Sequence, residues 1–255
     1  MLRRRWRCLL AGHYANTYTC RKLAADSDRP DIIWPIPPVR TVAGFFSLHV
    51  RRAKNLRNEL VDGYFRSQGR EEGRKLADEL RQDTCNGLCI TIAFNTPWVI
   101  DILTAAWRRY ATGMILVVVD NSSDSKAREA IKRICEARSV PYLALPRNPE
   151  RNPNRSHGIA LNWAYYNLVR HVRPGIFGYI DHDCFPIAPV DIPARMEDRT
   201  VYGRRWQTHR LDGAWHLWAG LCFFRFTAVE NLELDFKPRI EFGLDTGGGE
   251  LASAL

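Results

Sequence analysis

The sequence predicts an α/β fold with a mostly parallel sheet flanked by helices, preceded by a helical amino-terminal extension. From residue 89 onwards, short apolar runs of strand length alternate with helical patterns of about ten to fifteen residues. Two of these runs end in an aspartate followed by polar residues, as expected where parallel strands deliver ligand-binding groups to one edge of a sheet. The expected division is an extension over residues 1–85 and an α/β domain over residues 86–255.

The extension is predicted to be mainly helical, from about residue 53 to residue 81, and it is basic. Residues 1–85 contain 17 Lys and Arg against 10 Asp and Glu, so most of the net charge of +9 lies there. A basic surface attracts anionic partners, which allows a peripheral contact with a membrane. A solvated surface is the alternative explanation, and no nucleic-acid-binding motif is present.

The elements of the α/β domain follow in order. A strand at 89–94 precedes a helix with Thr96 as its N-cap and Pro97 at its first position. A strand at 114–119 precedes a helix that starts near Asp124. A third strand at 142–145, a polar loop and a helix over 157–172 lead to a fourth strand, which ends at Asp181. Later strands near 201–203 and 221–226 flank a Trp-rich segment.

The most informative stretch is Asp181-His182-Asp183, which follows an apolar strand. Residues i and i+2 of a strand point to the same face, so the two carboxylates can converge on one cation. Mg²⁺ and Mn²⁺ prefer oxygen ligands and often take one or two carboxylates plus substrate phosphate. We therefore predict Mn²⁺ or Mg²⁺ bound by Asp181 and Asp183, with Asp183 as the direct ligand and His182 on the opposite face. A polar turn ahead of Pro186 is the alternative.

Four segments, taken in order, resemble the GT-A-fold glycosyltransferases, especially the inverting, family 2-like group. They are TIAFN at 91–95, VVDNSSD at 118–124, NRSHGIALN at 154–162 and DHD at 181–183. The segments at 218–220 and 243–248 resemble acceptor-side segments of that group, and the resemblance covers about residues 88–250. It implies a GT-A-like sheet with a Rossmann-like nucleotide half and an acceptor half. It also implies metal-dependent transfer of a sugar from a nucleotide-diphosphate sugar to an acceptor hydroxyl, with inversion.

The resemblance implies contacts with the nucleotide sugar, and the residues suggest a catalytic base. Capping of the next helix is an alternative role for the polar residues after the second strand, and it is compatible with binding. Asp245 is the preferred general base because it lies in a Gly-rich turn near a predicted helix start; Glu241 and Asp212 are the alternatives. The predicted donor contacts are Phe94, Asn95, Asp120, Asn121, Ser122, His157, Asn162 and Asp181.

Three further sets of side chains are candidates for the same site. Arginines could clamp a diphosphate, tryptophans could stack on a sugar ring, and histidines could supply another metal ligand. A solvated loop and ordinary core packing are the alternatives for the first two sets. The candidates are Arg147, Arg151 and Arg155 for the diphosphate, Trp206, Trp215 and Trp218 for the sugar, and His209 and His216 for the metal.

The expected donor is a nucleotide sugar, with UDP-sugars favoured, and the expected acceptor is a glycan or a lipid-linked molecule. No apolar run approaches the ~20 residues of a membrane span, and residues 8–13 are too short for a signal sequence, so we expect a cytoplasmic protein, with membrane contact through the extension.

A sugar-phosphate nucleotidyltransferase and a non-catalytic binding module are the alternatives to a glycosyltransferase. The former should carry an early Gly-rich phosphate loop, and none follows residues 89–94. The sequence ends at Leu255, just as a helix starting near Glu250 should form, so we expect either a short protein or a truncated carboxyl end.

Overall fold

The computed structural model describes residues 6–8, 42–81, 87–207, 215–239 and 243–247. The chain forms two compact units, one of residues 10–60 and one of residues 1–9 with 61–255. In the first unit, residues 42–60 are helical. The second, here called the main unit, contains the sheets. Within the described ranges, no helix has the length and apolar character needed to span a membrane.

The main unit alternates strands and helices, as the sequence predicts. The strands are β1 Trp6–Cys8, β2 Gly87–Ala93, β3 Ala111–Thr112, β4 Ile115–Asp120, β5 Tyr142–Ala144, β6 Ile176–Asp181, β7 Cys184–Pro186, β8 Val190–Asp191, β9 Val201–Gln207 and β10 Trp215–Arg225. The helices are α1 Val42–Ser67, which begins in the first unit, α2 Arg70–Arg81, α3 Pro97–Tyr110, α4 Ser125–Ala137, α5 Pro153–Ala164, α6 Arg170–Val172, α7 Ile192–Met196 and α8 Phe226–Val229. A π-helical segment, Tyr165–Val169, joins α5 to α6.

The central sheet has six strands in the order β5-β4-β2-β6-β10-β9. The first four are parallel, and β10 and β9 run antiparallel to their neighbours. Strand β2 is buried along its whole length, as is typical of parallel strands covered by helices on both faces. The predicted α/β fold with a mostly parallel, helix-flanked sheet is confirmed.

The register of the parallel strands places their carboxyl ends side by side. Ala93 of β2 pairs with Asp120 of β4, and Ile92 of β2 pairs with Asp181 of β6. The loops that follow these three strands therefore leave the sheet at one edge. Because ligands of open α/β sheets bind beyond this edge, the register predicts the position of the functional site.

The boundary of the main unit differs from the one predicted at residue 86. Phe65, Leu76 and Leu80 of α1 and α2 are buried in the same core as the sheet. Trp163 Nε1 of α5 also donates a hydrogen bond to the carbonyl oxygen of Gln68 at 2.8 Å. The sequence of this region is dominated by charges, but the apolar face of α2 packs in the core of the main unit.

Candidate functional site

A cleft of about 890 Å³ opens at the carboxyl edge of the parallel strands. Its walls come from the loops after β2, β4 and β6, from the loop that leads into the first turn of α5, from β10 and from the segment 243–247. These elements are far apart in sequence, and the parallel topology brings them together. The cleft therefore lies where the strand register predicts a ligand site.

Within the described part of the chain, three aspartates and Glu150 line this cleft. Asp181 is the last residue of β6, Asp183 lies in the turn that follows, and Asp245 approaches from the segment 243–247. Because β6 ends at Asp181, strand alternation does not continue through the turn. His182 consequently lines the cleft as well, and the prediction that it faces the opposite side is wrong.

The carboxylates interact electrostatically. Burial raises the pKa of Asp181 to about 7, the charges of Asp183 and Asp245 add to this effect, and His182 opposes it. In the apo protein, ionisation of Asp181 is therefore opposed near neutral pH. A positive charge bound between these groups would relieve that cost.

His157, in the first turns of α5, lies beside this cluster. Its Nε2 is 3.5 Å from Asp181 Oδ1, and a quarter of its side-chain surface is exposed. Burial lowers the pKa of His157 to about 4, against the attraction of Asp245 and Asp183. The imidazole is therefore neutral at pH 7, and its contact with Asp181 is not a salt bridge at that pH.

The oxygen ligands that line the cleft suit a hard cation that takes its remaining ligands from a bound substrate. Among the residues that the structure describes, no three His, Cys, Asp or Glu side chains are placed to hold a metal by themselves. Asp181 and Asp183 nevertheless repel each other electrostatically. Two such carboxylates are enough for Mg²⁺ or Mn²⁺ when phosphate oxygens and water complete the coordination shell of the metal. His182 Nδ1 is buried beside them without a hydrogen-bond partner. His216 is buried on β10 outside the cleft lining, and His209 lies outside the described residues.

Asp120 lies beneath the cleft and not in its lining. It is fully buried, Oδ1 accepts a hydrogen bond from the backbone N–H of Ser122, and Oδ2 accepts one from the Tyr142 hydroxyl, each at 2.8 Å. Both oxygens are thus used to hold the β4 loop against β5. Asp120 was predicted to contact the nucleotide sugar. In the structure, both of its carboxylate oxygens instead accept hydrogen bonds from the protein itself.

Asn121 and Ser122, the next two residues, do line the cleft. Asn121 Nδ2 donates to Ser156 Oγ at 3.2 Å, and Asn121 Oδ1 accepts from Asn148 Nδ2 at 3.0 Å. This network joins the β4 loop to the start of α5. Asn148 was not predicted from the sequence, since its loop has no regular pattern.

Phe94 and Asn95 follow β2 but have different roles. Phe94 is 45% exposed and lines the cleft. Asn95 has a positive φ of 53°, and its Oδ1 accepts hydrogen bonds from the backbone N–H groups of Ser123 and Asp124, each at 3.0 Å. Its side chain therefore fixes the neighbouring loop and lies outside the cleft lining, in contrast to the predicted donor contact.

Asn162 is also structural. Its Nδ2 donates to Asp235 Oδ1 at 2.9 Å, and its Oδ1 accepts from the backbone N–H of Phe236 at 2.8 Å. These bonds attach the segment after α8 to the last turn of α5. Asn162 was predicted to contact the nucleotide sugar. Its side-chain amide lies outside the cleft lining, so the structure does not place it at the donor.

Two of the three candidate arginines face the cleft. Arg147 and Arg151 line it. Arg155 instead donates to Glu150 Oε2 and Asp62 Oδ1, each at 3.2 Å, with 18% of its side chain exposed. Arg155 therefore ties α1 to the loop before α5 and is not available to clamp a diphosphate.

Trp218 is the candidate tryptophan that lines the cleft. Trp206 and Trp215 are partly exposed outside it, and the Arg204 guanidinium lies over the rings of Trp206 and Trp218 at 5.3 and 5.5 Å.

Gly220 lies next to Trp218, and a Cβ on residue 220 would be 2.2 Å from Trp218 Cζ2. The sequence did not single out Gly220 for this role, because close backbone approach leaves no signal beyond the glycine itself.

Asp245 is exposed and lines the cleft from the segment 243–247. Its Oδ1 accepts from the backbone N–H of Thr246 at 2.8 Å and from Asn154 Nδ2 at 3.4 Å. Asp245 lies on the same side of the sheet as Asp183, as a base acting on a ligand in this cleft requires. The alternative bases Glu241 and Asp212 lie outside the described residues.

Several solved structures are similar to part of this chain. The mannosyltransferase PcManGT from Pyrobaculum calidifontis, in complex with GDP-Man and Mn2+, is 16% identical over 68% of this chain and 57% of that chain, with a TM-score of 0.42. The TarS 1-349 structure from S. aureus is 14% identical over 65% of this chain and 53% of that chain, with a TM-score of 0.40. This chain thus spans little more than half the length of either protein.

The mannosyltransferase belongs to the enzyme class that the sequence resembles. No protein-family model and no curated protein matches the chain. The function proposed below therefore depends on the geometry of the cleft.

Proposed function

We propose that the protein is a metal-dependent glycosyltransferase that moves a sugar from a nucleotide-diphosphate sugar to an acceptor hydroxyl with inversion. One observation carries this proposal: Asp181 and Asp183 share one cleft with Asp245, at the carboxyl edge of three parallel strands. A cation-binding pair and a separate exposed carboxylate around one cavity are what a single displacement at a sugar needs.

The donor would lie along the cleft floor. Asn121 and Ser122, which line the cleft beyond β4, would contact the nucleoside. Arg147 and Arg151 supply positive charge for the diphosphate on the adjacent wall. Trp218 offers an aromatic face for the sugar ring. The sequence favours a UDP-sugar among the possible donors.

Asp181 and Asp183 would hold a divalent cation together with the diphosphate oxygens. When bound, such a cation would supply Lewis-acid chemistry, because it would neutralise negative charge on the leaving diphosphate. The pKa of Asp181, raised by burial and by Asp183, fits a pair that ionises fully when a cation is present. His157 stays neutral and occupies the space beside Asp181.

Asp245 would act as the general base. It accepts the proton of the acceptor hydroxyl as that oxygen bonds to the anomeric carbon, and the bond to the diphosphate breaks with its electron pair leaving on the nucleoside diphosphate. Attack from the side opposite the diphosphate inverts the anomeric centre. The acceptor itself is proposed to be a glycan or a lipid-linked molecule.

The test is donor binding with and without metal. UDP-sugars and GDP-sugars should raise the melting temperature in the presence of Mn²⁺ and much less in EDTA, since a ligand that binds the folded state stabilises it. Asp183→Asn should lose the Mn²⁺-dependent part, whereas Asp198→Asn, an exposed carboxylate outside the cleft, should retain it. Unchanged metal-dependent stabilisation in Asp183→Asn would refute the proposal. A protein that binds donor but never releases nucleoside diphosphate would be a binding module.

A further inference from the structure

Residues 145–152 connect β5 to α5, and we call them the arginine loop because Arg147 and Arg151 line the cleft from it. None of these residues lies in a helix or a strand. The loop therefore lacks the regular backbone hydrogen bonds of those elements, and its shape depends on side chains that bond to its backbone. An arginine on such a loop is directed at a ligand only if other groups hold the loop in place.

Glu150 holds the second half of the arginine loop. Its Oε1 accepts hydrogen bonds from the backbone N–H of Arg151 at 2.9 Å and from that of Asn152 at 3.0 Å. Its Oε2 accepts one from Arg155 Nε at 3.2 Å. Glu150 belongs to the cleft lining, yet only 5% of its side chain is exposed. A buried carboxylate is costly to ionise and repels a bound diphosphate unless a cation neutralises it, and Arg155 supplies that positive charge.

Asp62 holds Arg155 from the other side. It lies on the part of α1 that belongs to the main unit, 93 residues earlier in the sequence. Its Oδ1 accepts a hydrogen bond from Arg155 Nη2 at 3.2 Å, and its Oδ2 pairs with Lys237 Nζ. The side chains of Asp62 and Arg155 are 16% and 18% exposed, so solvent and salt screen this ion pair less than one at the surface. Because the guanidinium is planar, carboxylates on two sides fix its orientation.

These contacts form one continuous path from α1 to the cleft. Asp62 orients Arg155, and Arg155 orients the Glu150 carboxylate. That carboxylate in turn holds the backbone from which Arg151 projects. The charges along the path alternate in sign, so each group stabilises the next. Without Asp62, the Arg155 guanidinium would lose one of the two carboxylates that the described residues supply to it.

We propose that Asp62 is a positioning residue for donor binding, which directs Arg151 at the diphosphate through Arg155 and Glu150. This inference rests on the proposed function, since it takes the ligand of Arg151 to be a nucleotide-diphosphate sugar. Asp62 does not line the cleft, so its effect on the ligand must pass through the arginine loop. An ion pair that only supported the fold would change stability and leave the loop and its affinity for nucleotide unaltered.

The first test needs no ligand and measures amide hydrogen exchange in the full-length protein. We expect the amides of Arg151 and Asn152 to exchange about tenfold faster or more in Asp62→Ala, because their carboxylate acceptor loses its orientation. Exchange along β2 should not change. Asp78→Ala is the matched control, since Asp78 is 70% exposed and its ion pair with Arg81 lies at the surface. If Asp62→Ala does not fold, Asp62→Asn, which keeps the shape of the side chain, takes its place.

The second test measures binding of UDP and of GDP with Mn²⁺ by titration calorimetry, at a temperature at which the parent and all variants are folded. Asp62→Ala should bind the nucleotide that the parent binds about tenfold more weakly. In an Arg151→Gln background, the same change should cost less than about twofold, because the residue that Asp62 positions is already gone. Such non-additivity is expected of residues that act through one network.

Unchanged exchange at Arg151 and Asn152 would overturn the proposal, whatever the binding result. Faster exchange with unchanged nucleotide affinity would also overturn it, and so would equal losses of affinity in the two backgrounds, since Asp62 would then act by another route. A parent protein that binds neither nucleotide with Mn²⁺ would instead refute the proposed function. The exchange experiment would still decide whether Asp62 positions the arginine loop.

Discussion

Asp181 lies directly against the backbone of Gly220, so that a Cβ on residue 220 would be 2.5 Å from Asp181 Oδ2. The same Cβ would be 2.2 Å from the ring of Trp218. Strand β10 thus passes close behind the carboxylate pair only because residue 220 has no side chain. The position of Asp181 depends on a neighbouring strand as well as on its own.

Gly220→Ala should displace Asp181 or Trp218 and weaken metal-dependent donor binding. Overpacking of this kind typically costs ~1–3 kcal/mol, so we expect roughly a tenfold loss of donor affinity. Gly63→Ala is the matched control, because a Cβ there meets no atom within 4 Å and the residue lies inside α1. That change should raise stability by ~0.5–1 kcal/mol and leave donor affinity unchanged. Equal donor affinity in the two variants would contradict the role given to Gly220.

The sequence predicted the sheet and most of the cleft because strand ends carry a local signal. An apolar run that stops at Asp181 marks both the end of β6 and the edge at which Asp183 lies. The sequence did not separate the polar side chains that line the cleft from those that hold its loops in place. Asp120 and Asn95 look like binding residues in the sequence. In the fold, however, their side chains are held by Tyr142 on β5 and by the loop after β4, respectively, which lie far from them in sequence.

The contribution of α1 and α2 to the core is the main organisational difference from the sequence prediction, and two adjacent residues test it. Phe65 is 1% exposed and Tyr64 is 61% exposed. Phe65→Ala should lower the free energy of unfolding by ~3–5 kcal/mol, because it leaves a cavity in the core. Tyr64→Ala should cost less than ~1 kcal/mol. Urea denaturation measures both, and similar small effects would show that residues before 86 are a separable appendage.

Asp181 should make the stability of the apo protein dependent on pH. Its folded pKa of about 7 lies above the ~3.9 of an unfolded chain. The folded state therefore binds the extra proton, and stability falls as pH rises from about 4 to about 7. Asp181→Asn carries no such charge, so in EDTA it should be more stable than the parent at pH 8, by up to about 4 kcal/mol, and equally stable at pH 4.

Titration of His157 changes the stability in the opposite direction, and it does not affect the comparison between the parent and Asp181→Asn. Its pKa falls to about 4 in the fold, so its contribution to stability is lost as pH falls from about 6.5 towards 4 in both proteins. The readout is therefore the difference between parent and variant at each pH. A difference that stayed constant from pH 4 to pH 8 would show that the environment of Asp181 does not raise its pKa.

Asp245→Asn should separate transfer from donor binding. The general base acts on the acceptor and contributes little to holding donor and metal, so donor affinity should stay within a few-fold while transfer falls by roughly 10²–10⁴. Asn keeps an oxygen that can accept the hydrogen bond from the Thr246 N–H, which preserves the local backbone. Asp183→Asn, by contrast, should lose metal-dependent donor binding itself. If Asp245→Asn transferred sugar at the parental rate once an acceptor is found, the base would have to come from elsewhere, and Glu241 and Asp212 would be the next residues to replace.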